Sequence, residues 1–469
     1  MGMPEQPAST DASRYIAELI ARARAAQAQI EFASQADVER VTAHLAWSFV
    51  QPDFTQALAA ICVQESGMGN VADKQVKLNV KIRGAYRDMK GRPSAGVVGE
   101  DPVRGVLQIA KPMGVVGAVI PVTNSEATPC LKALFAIKTR NAVVLASHPL
   151  TVQTCVMVAT RARAVLQACG WPADLILPVE HVTKEVTMEL MRQCDLVLAT
   201  GGTNMVKAAY RSGTPTQGVG AGNAVSIVDE TADLAASARL IARSKTFDYA
   251  TSCSAENALA IQTDVYEAMI QELVAVGGYR LNAVEKARLQ AVMWQAKGLN
   301  PQIVGQAPSV IARLAGIGLP SGTRFFLVEE GGVGPESPFS GEKLAVIVAV
   351  YRWTTFPEAI DLVDRITAYS GRGHSCGIHT TNDERVRELG VQARVARVMV
   401  RQPQALANSG SWTNSMPMTL TLGCGSWGRN STSDNVTWQH LLNYTWVSYP
   451  IPDTQPADEE LFGDVMPRA

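Results

Sequence analysis

From residue 114 to residue 229 short apolar runs alternate with amphipathic stretches, and this alternation constrains the fold more than any other feature of the chain. The runs are GVVGAVIPV, AVVLAS, ADLILPV, DLVLAT and AVSIVD, and between them lie TPCLKALFAIKTR, VQTCVMVATRARAVLQA, TKEVTMELMRQC and NMVKAAYRSG. A strand with one wet face alternates polar and apolar residues, whereas a near-continuous apolar strand is buried on both faces. Helices must then cover both sides of a parallel sheet, the doubly wound α/β arrangement. A second series, ENALAIQ, VYEAMIQELVAVG, TRFFLVEE, KLAVIVAVYRW, FPEAIDLVDRITAY, SCGIHT and ARVMVRQP, predicts a second α/β unit. The break falls near 229–245, where DETADLAASARLIARSK reads as a capped bridging helix. Upstream, SRYIAELIARARAAQAQIEFA and ADVERVTAHLAWSFV carry apolar positions at three-to-four spacing and read as packing helices.

The charge balance narrows the partners. Lys plus Arg is 42 against 43 for Asp plus Glu, which argues against nucleic acid or an anionic membrane as the main partner and leaves small molecules open. No apolar run approaches the roughly 18 residues that span a bilayer. The start, MGMPEQPAST, lacks a signal-peptide pattern, and Gln6 breaks the myristoylation pattern, so the cytoplasm is the expected location. Eight cysteines are scattered without any CxxC, against a disulfide framework or thiolate zinc site. His374, Cys376 and His379 are the nearest approach to a metal pattern, but they fall on a predicted strand, and no metal is expected.

Cys253 stands out within TFDYATSCSAEN because small polar residues, not apolar ones, surround it. No histidine is near it in sequence, although the base of a thiol site can come from elsewhere in the fold. Asn124 closes the first buried strand in PVTN, where its amide could hold an oxyanion or simply form a turn. GVGAGN, residues 218–223, is glycine-rich but does not sit between a strand and a helix as a dinucleotide fingerprint would. ATGGTNMVKAAY is the better phosphate candidate, because a strand runs through Gly201 and Gly202 into a helix start.

Taken in order, IPVTN, KTRNAVVLASHP, ATGGTNMVKAAYRSGTPTQGVGAGN, SKTFDYATSCSAEN, GEKLA and LGCGSWGRNS, with ESGMGNVADK upstream, resemble the CoA-acylating branch of the aldehyde dehydrogenases over nearly the whole chain. The resemblance implies two Rossmann-like α/β domains and a small oligomerisation hairpin. It assigns residues 1–99 and 114–229 to NAD(P) binding, 230–437 to catalysis, and 100–113 with the tail 438–469 to assembly as a homodimer or homotetramer. It makes Cys253 the nucleophile, and Asn124 with the Cys253 main-chain NH the oxyanion hole. Thr200, Gly201, Gly202 and Gly220 would border the cofactor, and Glu342 of GEKLA would hold the nicotinamide ribose. The end of the second strand offers Ser147 and His148 and no carboxylate for a ribose 2′-OH, so NADP is expected to be tolerated beside NAD, with a leaning towards NADP.

Hydrolytic relatives carry a glutamate where this chain has GVGAGN, so the implied acyl acceptor is coenzyme A; Glu256 is a possible base or a structural group. Arg429, in GSWGRNS where acetaldehyde-type relatives read GSWGGNS, points to a short aldehyde with an anionic tail. That pattern looks most like the acylating sulfoacetaldehyde and the CoA-dependent succinate semialdehyde enzymes, with sulfoacetaldehyde favoured. Acetaldehyde as the substrate, a hydrolytic aldehyde dehydrogenase, and a non-redox thiol transferase or nucleotide-binding protein are the alternatives.

Overall fold

A computed structural model describes residues 11–295 and 298–467. The signal-peptide and myristoylation readings fall on residues 1–10 and lie outside the described residues, as do the last two residues of the expected tail. Four helices come first, Asp11–Ala28, Gln35–Phe49, Pro52–Ser66 and Val71–Met89. Local chemistry sets their ends: Ser34 accepts from Asp37 N, Asn70 accepts from Asp73 N, and Gly67 stops the third helix in the left-handed region. Their apolar faces join one core with the strands that follow.

Five parallel strands form the first sheet, in the spatial order Ile176–Pro178, Ala142–Ala146, Val115–Val119, Leu196–Thr200, Thr216–Val219. The order reverses between Val115–Val119 and Leu196–Thr200, and a crevice opens there at the strand C-termini. Asn124 follows the first of these strands and Gly201 the second. The central strands are buried at every position, which is why they read as continuous apolar runs.

The second sheet has seven parallel strands in the order Gly278–Arg280, Phe325–Glu329, Ile347–Trp353, Glu256–Gln262, Ala224–Val228, Cys376–His379, Val398–Val400. Two boundaries thus differ from the sequence expectation. AVSIVD was expected to end the first unit at 229, yet Ala224–Val228 pairs with Glu256–Gln262 and Cys376–His379 inside the second sheet. The glycine-rich loop Gly220–Asn223 is therefore the crossover between the two sheets. In the other direction, Met418 and Val436 lie within the stretch expected to be catalytic, but they pack into the first core. A buried apolar strand or loop looks alike in either unit; only its neighbours assign it.

A third, antiparallel sheet stands apart, ordered Gly96–Asp101, Val106–Pro112, Leu442–Ser448. The pairing of Val106–Pro112 with Leu442–Ser448 joins the hairpin and tail segments that the sequence had associated. Among the described residues no helix is long and apolar enough to cross a membrane.

Candidate active site

The segment before Cys253 is held against its own preference. After helix Leu234–Thr246, Asp248, Tyr249 and Ala250 take φ values of 49°, 49° and 62°. Each such non-glycine residue costs roughly 1–3 kcal/mol and persists only where its surroundings over-determine it. The Asp248 carboxylate is that determinant. It accepts from Asn70 N at 3.0 Å, Lys74 Nζ at 2.9 Å, Lys77 Nζ at 2.7 Å and Thr251 Oγ1 at 2.7 Å. Gly69 lets the chain approach so closely that a Cβ there would lie 1.9 Å from Asp248 Oδ1.

Cys253 is half-buried, with its Sγ 3.2 Å from Nε2 of His374. His374 Nδ1 lies 2.9 Å from Ser375 Oγ; the tautomer that donates there leaves a lone pair on Nε2 facing the thiol. Arg397, itself buried, donates to the His374 carbonyl at 2.9 Å and to Gly423 O at 2.7 Å, which fixes the histidine strand against the loop that follows. Burial, then the Arg397 charge, lowers the His374 pKa to about 3. Burial, then the Glu342 carboxylate, raises the Cys253 thiol to about 12. Thiol and imidazole therefore rest uncharged.

Asn124 sits in the one-turn helix Val122–Asn124. Its Oδ1 accepts from Lys77 Nζ at 2.8 Å, and its Nδ2 makes a long contact of 3.3 Å to Thr123 Oγ1. A cavity of about 470 Å³ lies on one side, lined by Asn124, Cys253, Ser147, His148, Thr200, Gly201, Gly202, Gly220 and Glu342. Every residue expected at the thiol or the cofactor is brought together there. On the other side a wider cavity of about 1010 Å³ reaches Asn124, Ser252 and Lys77. Asn124 borders both.

The smaller cavity suits a dinucleotide. Ser147 Oγ is buried without a hydrogen-bond partner. Helix Thr203–Tyr210 starts at Gly202 with no side-chain cap, so its first NH groups remain open to an anion, and a Cβ at Gly202 or Gly220 would meet nothing within 4 Å. His148, exposed at the cavity's rim, accepts from Leu150 N at 3.2 Å. Glu342 accepts from Gly222 N at 3.0 Å, and burial raises its pKa to about 7.

Arg429 is not part of this arrangement. It is exposed, at φ 58°, and lines neither cavity. The tight turn in which Asn430 Oδ1 accepts from Cys424 N places the arginine on the outer side of the loop. Other cations line the wider cavity instead: Lys77, Lys81, Arg243, Arg324 and Arg401, with Asp73 the one carboxylate among the described lining residues. Glu256 is buried, accepts from Gln404 N at 3.1 Å and lines neither cavity, which is a structural role. Among the described residues no group of three His, Cys, Asp or Glu could hold a metal ion. His374 had been noticed only within a metal-like pattern, and Lys77 and Arg397 not at all; the sequence hint for His374 was that a lone thiol still lacked a base.

A sequence profile of the Aldehyde dehydrogenase family matches residues 7–283. The chain is 44% identical to the sulfoacetaldehyde dehydrogenase (acylating) of Cupriavidus necator, over 99% of this chain and 95% of that protein. It is 35% identical to the succinate-semialdehyde dehydrogenase (acetylating) of Clostridium kluyveri, over 96% and 99%. Among solved structures, an acetylating aldehyde dehydrogenase from Geobacillus thermoglucosidasius superposes with a TM-score of 0.92 at 35% identity, covering 95% of this chain and 98% of that one.

Proposed function

The chain belongs to the aldehyde dehydrogenase family, in its CoA-acylating branch, and from that premise we propose that it converts sulfoacetaldehyde to the acyl-CoA with NAD(P) through a thioester on Cys253. The observation that carries the reading is the 3.2 Å contact of Cys253 Sγ with His374 Nε2 at the junction of two cavities bordered by Asn124. His374 accepts the thiol proton and the thiolate adds to the aldehyde carbonyl. The new oxyanion lies between Asn124 Nδ2–H and the Cys253 main-chain NH. When bound, the nicotinamide nucleotide supplies the hydride acceptor, and the carbon left behind is a thioester on Cys253. The CoA thiolate attacks that thioester, the same two donors hold the second oxyanion, and Cys253 leaves as thiolate and regains its proton through His374.

Loop Gly220–Asn223 carries no ionisable side chain, so it offers no general base to activate water there, whereas a thiol acceptor is nucleophilic by itself. Lys77 is neutralised by its carboxylate partners and burial lowers the Lys81 pKa to about 7, but Arg243, Arg324 and Arg401 still outnumber Asp73 in the wider cavity, which favours an aldehyde with an anionic tail. Lys184, which lines the smaller cavity with Ser147 and His148, suits the extra phosphate of NADP. Eight free cysteines suit the reducing cytoplasm, and the projecting three-stranded sheet suits assembly as a homodimer or homotetramer. The test is a panel of sulfoacetaldehyde, succinate semialdehyde and acetaldehyde with each nucleotide and CoA, read by nucleotide reduction and product mass. Acyl-CoA with the highest kcat/KM for sulfoacetaldehyde is expected. Free acid as the main product in the presence of CoA overturns the acylating reading, and a preference for acetaldehyde overturns the anionic one.

A further inference from the structure

We propose that Lys77 is a positioning residue, which sets the orientation of the Asn124 amide and ties it to the turn that presents Cys253. The proposal rests on the reading of Asn124 as an oxyanion donor. An ammonium group has three protons to give and no lone pair, so an amide that meets it does so through oxygen. Lys77 Nζ lies 2.8 Å from Asn124 Oδ1. The Asn124 NH₂ is thereby directed away from Lys77, and its contact of 3.3 Å to Thr123 Oγ1 is weak enough to leave it as a donor to the cavity. In the flipped orientation a carbonyl lone pair would face the oxyanion and repel it.

The other contacts of Lys77 hold it where it can do this. Nζ donates to Asp248 Oδ2 at 2.7 Å and lies 3.0 Å from Glu126 Oε1. Lys74, one turn earlier on helix Val71–Met89, contacts the same two carboxylates at 2.9 Å and 3.7 Å. Two ammonium and two carboxylate groups thus balance, each at 5% exposure or less. Such a paired cluster is tolerable in the interior, while removing one member leaves an uncompensated charge. Glu126 lies two residues after Asn124, and Asp248 five residues before Cys253. A single ammonium therefore bridges the loop that follows the first sheet's central strand and the left-handed turn that feeds the nucleophile in the second domain. Both halves of the oxyanion hole, the Asn124 amide and the Cys253 NH, are referred to one point. A donor aimed and polarised in this way before substrate arrives needs no reorganisation during reaction.

The test is a double-mutant cycle of wild type, Lys77→Met, Asn124→Ala and the double variant. Single-turnover nucleotide reduction is read at saturating aldehyde and normalised to titrated Cys253 thiol, with nucleotide Kd and thermal melting recorded beside it. Asn124→Ala is expected to slow reduction by about 10²–10³-fold, as for loss of one oxyanion donor. Lys77→Met is expected to slow it by about tenfold to a hundredfold, with aldehyde KM and nucleotide Kd little changed. In the Asn124→Ala background the same change should cost less than about threefold, because residues that act as a unit are not additive. Equal losses in both backgrounds would mean that Lys77 acts only on the scaffold, and the proposal would fall. If Asn124→Ala itself left the rate intact, the oxyanion reading of Asn124 would fall instead, so the two failures are distinct. Should Lys77→Met not fold, the cycle is run on Lys77→Arg, whose planar fork keeps the charge but cannot reproduce the 2.8 Å geometry, and the same two outcomes decide.

Discussion

Cys253 and His374 face each other as uncharged partners, one raised by burial to about 12 and the other lowered by burial to about 3. The sign matters for reactivity. A raised thiol pKa means that thiolate forms only as pH climbs, and a lowered imidazole pKa means that His374 stays a proton acceptor down to mildly acid conditions. Iodoacetamide modification of Cys253, followed by peptide mass spectrometry, should rise about tenfold per pH unit from 6 to 9 without levelling. A plateau near neutrality would reveal a preformed thiolate–imidazolium pair and reject this description. Cys253 and Asn124 were legible in the sequence because each sits at a local signal, a polar-flanked thiol and a strand end. His374 lies 121 residues from the thiol, and Lys77 lies 47 residues from Asn124. Contacts of that kind are set by how distant elements pack within one domain, the second for Cys253 and His374 and the first for Lys77 and Asn124, and no run of neighbouring residues encodes them.

Among the elements, the crossover Gly220–Asn223 shows how tightly the two sheets are coupled at the thiol. A Cβ on Gly222 would lie 2.0 Å from the carbonyl oxygen of Cys253, whereas one on Gly220 would meet nothing within 4 Å. Gly222→Ala should therefore cost about 1–3 kcal/mol, as overpacking does, and lower turnover. Gly220→Ala should melt close to wild type. Thermal melting of the two variants checks this, and similar melting temperatures would show that the backbone around Cys253 yields more readily than the contact suggests. The glycines were visible in the sequence, as was their failure to form a phosphate fingerprint. Their role was not, because AVSIVD is as apolar as the strands before it and only its hydrogen bonding to Glu256–Gln262 and Cys376–His379 shows that the chain has already changed sheets. The same limit applies to Arg429. A residue's place in a loop of glycines depends on individual left-handed turns, here φ 60° at Gly425 and 58° at Arg429, which a motif does not specify.

At the scale of the whole molecule, the projecting three-stranded sheet ends in Leu442–Ser448, which leaves Trp446 60% exposed and Tyr444 40% exposed. Aromatic side chains standing on an edge strand are poorly placed for a lone subunit and well placed for a partner. Trp446→Asp should shift the particle to a smaller assembly in multi-angle light scattering after gel filtration. An unchanged mass would remove this sheet from the interface. The two-domain plan was readable from the periodicity of the runs alone, but the nesting of the domains was not. The second core is complete by Ala405, while the first, begun at Ile16, still lacks Met418, Val436, Trp438 and Leu441. A ribosome moving from the amino end would release every part of the thiol-bearing core before it released the last pieces of the nucleotide-binding one. The half encoded later can close first, and the half encoded first must wait, its crevice unfinished, until the final forty residues or so emerge to seal it.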